Sequence, residues 1–288
     1  MRKIYLLLLL LLATSSAHAF TLSDFESPES VVADPEDGSY YVSNINGDPF
    51  LKDGNGYISK ISSNGNTVTQ KYIGGTKENP ILDAPKGLAV VGKNIFTADI
   101  DTVKVFDKET RKMVKIVDFA GFTPKFLNDM TADREGNMVY VSDMLADCIY
   151  RIDLKNDYHV SVFREGVELG QPNGLAFNPK TKNLMAVGYG SGEILEITMG
   201  GKVRVLKKGL KGLDGIDYDN DGNLYVSNHE KGEIYQIARL GRGPLTTYLS
   251  NLTTPADISY DRLRDQILIP SMQGNTVSAI PKDNSKQV

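Results

Sequence analysis

Residues 213–237 read LDGIDYDNDGNLYVSNHEKGEIYQI and contain three short apolar runs separated by polar turns. The first run, LDGIDYD, is followed by the turn NDGN and then by the second run, NLYVSN. The third run, EIYQI, follows a glycine turn. Short apolar and aromatic runs bounded by Asp, Asn and Gly are typical of β-strands joined by hairpin turns. This stretch therefore predicts three consecutive antiparallel strands.

The same pattern occurs six times along the chain. Most copies add a fourth apolar run before the next copy begins. The second residues of successive copies are 57, 42, 45, 41 and 42 positions apart. Four strands in about 42 residues is the period of a β-propeller blade. The opening motifs are PESVVAD from Pro28, PKGLAVV from Pro85, LNDMTAD from Leu127, PNGLAFN from Pro172, LDGIDYD from Leu213 and PADISYD from Pro255.

The repeat predicts an all-β fold, a six-bladed β-propeller with four strands per blade. An ordinary β-sandwich also has regular turns, but it does not repeat one motif six times in register. The sixth copy lacks a fourth run, because the chain after Ile280 is polar. The segment FTLSDF, Phe20–Phe25, resembles such a run and precedes the first motif. We therefore expect the ring to be closed by this N-terminal strand, which would remove a free sheet edge.

Blade one is longer than the other blades by about 15 residues. The excess lies in INGDPFLKDGNG, residues 45–56, between its second and third strands, and in GGTKENPILDA, residues 74–84, before blade two. Both connections fall on the same face of a propeller. Long loops gathered on one face predict a binding site there.

The N-terminus has the pattern of a signal peptide. Arg2 and Lys3 are followed by an apolar, leucine-rich run and by the small-residue cleavage pattern Ala17-His18-Ala19. This arrangement is typical of a secretory signal, and the apolar run is short for a membrane span. We expect residues 1–19 to be a signal peptide and residues 20–288 to be a single propeller domain. The expected location is the periplasm or the extracellular space.

Composition narrows the classes of function. Of the 288 residues, 41% are hydrophobic and 24% are charged, which is sufficient for a large core. The formal charge is −4, which argues against nucleic acid as the main partner. The single cysteine, Cys148, excludes an intramolecular disulfide and a cysteine-rich metal cluster. We expect a small-molecule substrate or ligand, with a protein partner as a further possibility.

The first strand of each propeller blade lines the central channel, so equivalent residues of these strands form a ring. Carboxylates and amides that converge on one axis are costly unless a cation or hydrogen bonds satisfy them. Hard oxygen donors of this kind suit calcium better than a soft metal. The second positions of the six motifs, here called the axial ring, are Glu29, Lys86, Asn128, Asn173, Asp214 and Ala256.

A second set of polar residues stands at the ends of the second strands, on the same face as the axial ring. We predict that Asn44, Asp99, Asp143 and Asn228 help to bind a substrate there; Tyr189 and Ser271 occupy the remaining two positions. The alternative is that strand ends are polar only because turns are polar. His229 lies beside this rim and could assist a proton transfer, but a lone rim histidine is more often solvated surface.

The opening motifs resemble those of the senescence marker protein/gluconolactonase family, which includes regucalcin. This resemblance covers the chain after the signal segment. It implies a six-bladed propeller with a divalent metal, here predicted to be calcium, on the axis. The family's ligand motifs fall on Glu29 in PESVVAD, Asn128 in LNDMTAD, Asn173 in PNGLAF and Asp214 in LDGIDYD. The resemblance therefore implies that these four residues bind the metal, with Asn128 also close to the substrate.

The chain departs from the family pattern at three positions. Val32 stands where the family has a tryptophan, and Phe126 stands where the family has a substrate-binding arginine. Lys125 is the nearest cation to that position and is a candidate substrate contact. Lys86 stands in the axial ring itself, where it could pair with Glu29 or Asp214 and replace a metal. These departures weaken the case for a sugar lactone as the substrate.

Two functions remain open from the sequence. The first is a metal-dependent hydrolase of a lactone, ester or related small molecule. In that case we expect Asp214 to act as the general base and Lys86 to stabilise the developing oxyanion. The second is a non-catalytic propeller that binds a small ligand or a protein on its loop-rich face. The axial ring favours the first, whereas Lys86 and the missing arginine favour the second.

Overall fold

The computed structural model describes residues 19–75, 81–133 and 135–283. Within these ranges, 24 β-strands form six four-stranded antiparallel sheets. The chain begins with β1 (Phe20–Leu22). Blade one contains β2 (Pro28–Ala33), β3 (Tyr40–Asn44), β4 (Tyr57–Ile61) and β5 (Val68–Gly74). Blade two contains β6 (Pro85–Val91), β7 (Asn94–Asp99), β8 (Thr102–Asp107) and β9 (Met113–Val117).

The next three blades repeat this order. Blade three contains β10 (Leu127–Ala132), β11 (Met138–Asp143), β12 (Cys148–Asp153) and β13 (His159–Glu165). Blade four contains β14 (Pro172–Phe177), β15 (Leu184–Gly188), β16 (Ile194–Ile197) and β17 (Val203–Lys207). Blade five contains β18 (Leu213–Tyr218), β19 (Leu224–Asn228), β20 (Glu233–Ile237) and β21 (Leu245–Leu249). Short helical turns occupy Met144–Ala146, Val167–Leu169 and Ala238–Gly241.

Blade six contains β22 (Ser259–Asp261), β23 (Gln266–Ser271) and β24 (Thr276–Pro281), and β1 is its fourth strand. Phe20 pairs with Ala279 and Leu22 with Val277 in antiparallel register. The predicted six-bladed propeller and its closure by the N-terminal strand are therefore confirmed. The strand itself ends at Leu22, and the predicted segment continues to Phe25, which is buried in the core shared by blades six and one.

Apolar side chains from neighbouring blades pack together and form the core. One cluster joins blades two and three through Phe96, Val105, Val141 and Tyr150. Similar clusters lie between the other neighbouring blades. Strands of this kind are buried on both faces, which explains why the second strands read as nearly continuous apolar runs such as YYVS and LYVS.

The described residues include no helix that is long and apolar enough to cross a membrane. Residues 1–18, which make up most of the predicted signal peptide, lie outside the described residues. Export therefore stays a prediction from the sequence.

Candidate functional site

A β-bulge turns the opening motif of each of the first five blades toward the axis. In β2, Pro28 pairs with Asn44 and Val31 with Val42, so the two residues between them leave the ladder. The same break in register occurs in β6, β10, β14 and β18. A bulge re-aims side chains and increases the local twist. This repeated irregularity is why the second motif residue projects into the channel instead of into the sheet.

Serines of the second strands satisfy the backbone that the bulges release. Ser43 Oγ accepts a hydrogen bond from Ser30 N at 2.9 Å, and Ser227 Oγ accepts one from Gly215 N at 2.7 Å. Ser142 Oγ does the same for Asp129 N at 3.0 Å. A buried N–H without a partner would cost free energy comparable to a lost hydrogen bond. The recurring serine in VSN and VSD therefore supports the axial ring.

The axial ring is buried, and its oxygen atoms lack partners. Glu29, Asn128, Asn173 and Asp214 are each no more than 6% exposed. One side-chain oxygen on each has no hydrogen-bond partner within the described part of the chain: Glu29 Oε2, Asn128 Oδ1, Asn173 Oδ1 and Asp214 Oδ1. Buried polar atoms are normally paired, so four unpaired oxygens in one ring need an explanation. A cation that accepts all four as ligands would provide one.

The carboxyl groups of the ring repel one another in this geometry. Burial raises the pKa of Glu29 well above its ordinary value, and the carboxylates of Asp214 and Asp257 raise it further, while Lys86 opposes the rise. Burial and then Asp257 likewise raise the pKa of Asp214. Two buried carboxylates on one axis favour either protonation or a bound cation.

A deeper pair of carboxyl groups lies one residue further along the inner strands. Asp257 Oδ2 accepts a hydrogen bond from Ser30 Oγ at 2.6 Å, and Asp129 Oδ2 accepts one from Leu175 N at 2.5 Å. Burial raises the pKa of Asp257 to about 7, and hydrogen bonds with Ser30 and Asp129 oppose the rise. Burial and the charge of Asp257 also raise the pKa of Asp129 well above its ordinary value. A cation in the ring would favour the ionised form of these two groups, and their charge would then strengthen its binding.

Lys86 is fixed by neutral groups. Its Nζ donates to the carbonyls of Ala84 at 3.0 Å and Pro49 at 3.1 Å. The same atom lies 4.4 Å from the centre of the Phe126 ring, a cation–π distance. No ion pair in the described ranges joins Lys86 to a carboxylate. Burial lowers its pKa to about 8, although the charges of Glu29 and Asp99 oppose this. The suggested direct pairing of Lys86 with an axial carboxylate is therefore absent from this arrangement.

His229 lies closer to the axis than the sequence predicts. Its Nδ1 is 3.6 Å from Asp214 Oδ2, and its side chain is 19% exposed. Burial lowers the pKa of His229, while Glu230 and a hydrogen bond with the Pro255 backbone oppose the change. The imidazole is thus a mostly buried neighbour of an axial carboxylate, and the expectation of a solvated surface residue is wrong.

The polar ends of the second strands hold loops in place. Asn44 Oδ1 accepts from Glu26 N at 3.1 Å, Asp143 Oδ2 accepts from Lys125 N at 2.8 Å, and Asn228 Nδ2 donates to Lys211 O at 2.9 Å. Each partner stands two residues before the first strand of the same blade. This repeated contact gives the three residues a structural role.

The four residues at these strand ends are 0–1% exposed, which leaves little surface for a substrate: Asn44, Asp99, Asp143 and Asn228. Asp99 follows the same rule, since its carboxylate accepts from Asp83 N and Ala84 N and also pairs with Lys104 at 2.6 Å. The interpretation that strand ends are polar because turns are polar fits these four residues better than the prediction that they contact a substrate. Lys125, by contrast, has an exposed side chain on the site face.

The first insertion of blade one crosses over blade two and reaches blade three. We call residues 46–55 the strap. Lys52 of the strap pairs with Asp101 of blade two at 2.6 Å, and Pro49 accepts the hydrogen bond from Lys86. The Phe50 ring packs on Phe126, which stands just before β10 of blade three, with the ring centres 4.5 Å apart. The predicted long loop therefore lies on the face of the axial ring.

The four predicted ligands fit a hard divalent cation. They offer two carboxylates and two amide oxygens, and each has a buried oxygen that finds no partner among the described residues. Among the described residues, no three His, Cys, Asp or Glu side chains group as a metal site by themselves. The candidate site thus depends on its amide oxygens, a donor set that calcium accepts and zinc rarely uses.

Residues 27–255 match the family described as the SMP-30/gluconolactonase/LRE-like region. The chain belongs to this family. The match runs from just before Pro28 to Pro255 and so contains all four predicted ligands. No curated protein matches the chain.

Three solved structures with a similar fold are distant in sequence from this SMP-30/gluconolactonase-like chain. A gluconolactonase from Xanthomonas campestris has a TM-score of 0.71 and 17% identity, over 91% of this chain and 90% of that chain. Virginiamycin B lyase from Staphylococcus aureus has a TM-score of 0.64 and 14% identity, over 91% and 98% of the two chains. A chain of a nidogen/laminin complex has a TM-score of 0.60 and 19% identity, over 74% and 76%. At these identities the likeness shows the propeller fold alone.

Proposed function

We propose that this protein is an exported hydrolase that acts on a lactone, an ester or a related small molecule and depends on a divalent metal, calcium by preference. The observation that carries the proposal is the set of four buried oxygens on the axis that have no hydrogen-bond partner within the described ranges. Membership of the SMP-30/gluconolactonase/LRE-like family supports the reaction class. The proposed export depends on the signal pattern of residues 1–19.

The proposed ligands divide into two kinds. Glu29 would contribute charge, and Asn128 and Asn173 would be neutral donors that also orient the substrate. Asn128 Nδ2 already lies 3.8 Å from the sulfur of Met144, which directs its oxygen away from that side. A divalent ion held here would polarise the substrate carbonyl and lower the pKa of a bound water.

Proton transfer is assigned to blade five. Asp214 would hold the metal through Oδ1, which has no partner among the described residues, and would accept the proton of the attacking water at Oδ2. Asp214 Oδ2 lies 3.6 Å from His229 Nδ1, so the partly exposed imidazole would take up that proton from Oδ2 and release it to solvent. Lys86 remains a positive charge behind the ring that can stabilise a developing oxyanion, although two carbonyls hold its ammonium.

A lactone and ester panel tests the proposal. Purified protein should hydrolyse at least one member of the panel with calcium present, and a chelator should lower the rate by about tenfold or more, since the metal supplies much of the carbonyl activation. Release of acid, followed with a pH indicator, is a suitable measurement. Metal-independent rates, or no turnover across the panel, would contradict the proposal.

The second candidate is a non-catalytic propeller. The observation that favours it is the pair Lys86 and Phe126, since the family's arginine position carries an aromatic ring that covers a lysine. A binding module would take up a ligand or a protein on the same face without turnover. Absence of hydrolysis together with ligand binding would favour this candidate.

A further inference from the structure

The face of the axial ring carries large apolar side chains that are open to solvent. Phe50 and Leu51 of the strap are 56% and 53% exposed, and Leu145, after β11, is 42% exposed. Exposed apolar groups that gather beside a buried polar site mark places where a ligand binds. Phe50 is fixed in position, because its ring packs on Phe126 and Asp48 Oδ1 accepts its N–H at 2.9 Å.

This apolar surface is continuous with the axial ring. Phe126 covers the ammonium of Lys86 and directly precedes the bulged segment that contains Asn128. Met144 contacts the amide of Asn128. A path of side chains therefore leads from Lys86 of the axial ring through Phe126 to the exposed ring of Phe50.

Three polar side chains at the strand ends of this region are not free to bind a sugar. The polar ends of Asn44, Asp99 and Asp143 are buried and bonded to loops. Hydroxyl groups that leave water need hydrogen-bond partners, and without them their burial is unfavourable. An aromatic ring at position 126 cannot supply the charged donor that an arginine would.

We propose that the site binds substrates with an alkyl or acyl chain, and that this chain packs against Phe50 and Leu51 of the strap while the axial ring holds the carbonyl. The inference rests on the proposed function, because it takes the axial ring as the place of the carbonyl. Phe50 is accordingly a specificity-determining residue. A polyhydroxylated lactone would be a poor ligand.

Equilibrium binding tests this without turnover. The probes are δ-valerolactams with 6-alkyl chains of two, four, six and eight carbons, which keep the carbonyl but resist hydrolysis, and a polyhydroxylated lactam is the comparison. Isothermal titration with calcium present should show affinity rising about two- to fourfold per methylene, the gain expected when half to all of its surface is buried. Phe50→Ala should reduce this to below about 1.5-fold, because the chain loses its main contact. Phe50→Leu should keep most of the gain in affinity per methylene.

Leu263→Ala is the matched control, since Leu263 is 60% exposed in the turn after β22, on the opposite face. It should bind the series as the unaltered protein does. Affinity that does not depend on chain length, a dependence that survives Phe50→Ala, tighter binding of the polyhydroxylated lactam, or no binding of the alkyl series would each overturn the inference. If the alkyl series binds as expected and no lactone or ester is hydrolysed, the inference stands and the proposed hydrolase function fails.

Discussion

Asp214→Asn is expected to lower lactone or ester hydrolysis by about a thousandfold while the propeller stays folded, because a general base contributes about 10²–10⁴ to a rate. The substitution keeps the shape of the side chain and one oxygen donor, but it removes the charge that accepts the proton. Steady-state rates at saturating calcium measure the effect. They should be compared with metal affinity, which should fall as well because one charged ligand is lost.

The melting temperature gives this variant a second readout. In chelator, Asp214→Asn should melt no lower than the unaltered protein, since the substitution removes repulsion between buried carboxylates on the axis. Asp157→Asn is the control, because it removes the same charge from a turn on the opposite face where the side chain is 88% exposed. Retained hydrolysis in Asp214→Asn would remove Asp214 from the mechanism.

Deletion of Phe20–Phe25 is expected to lower the melting temperature by more than about 10 °C. The deletion removes the fourth strand of blade six and exposes β24 as an edge. It also removes Phe25, a 1% exposed core residue of a kind whose loss costs about 3–5 kcal/mol. At about 2–4 °C per kcal/mol for a domain of this size, that residue alone accounts for most of the expected change.

Thermal unfolding followed by circular dichroism measures this effect. The control is Thr21→Ala, which changes an exposed side chain of β1 and leaves the strand in place. A deleted protein with an unchanged melting temperature would show that the ring does not depend on β1 for its closure.

The sequence predicts the fold and the axial ring well because both are periodic. One motif recurs in six blades, and in the first five a bulge places the same motif position on the axis. A residue such as Asn173 is therefore placed by its register alone. The length of the N-terminal strand was less exact, since pairing with β24 ends at Leu22 while packing continues to Phe25.

The surroundings of the ring could not be predicted in this way, because they depend on loops that do not repeat. The hydrogen bonds of Asp143 to the backbone before β10 require two segments to meet, which its position at a strand end does not show. His229 looks like any rim residue until the loop after β19 places it beside Asp214. The one signal in the sequence was that His229 directly follows the second-strand motif VSN, which ends on the face of the axial ring.

The strap is a further case. Its length was visible in the sequence, but its direction across blade two was not, and that direction decides that Phe50 reaches Phe126 and that Pro49 binds Lys86. The sequence shows that the family arginine is absent. It does not show the stack of Phe50 on Phe126, because that contact joins the strap of blade one to blade three. The residues that determine specificity therefore lie in loops outside the repeated motifs, and the repeat does not predict their positions.

The central claim is that the axial ring binds a divalent cation, and calorimetric titration of chelator-treated protein with calcium tests it most directly. We expect one site per chain, and at a hundredfold excess over Kd a stabilisation of about 2.7 kcal/mol, which raises the melting temperature by about 5–10 °C. Asn173→Leu, which removes one unpartnered oxygen, should weaken binding by tenfold or more, since about 1.4 kcal/mol corresponds to a factor of ten. Asn66→Leu is the control, because it changes an exposed turn between β4 and β5 and should leave calcium affinity unchanged. No binding heat and an unchanged melting curve with calcium, magnesium, manganese and zinc would contradict the account.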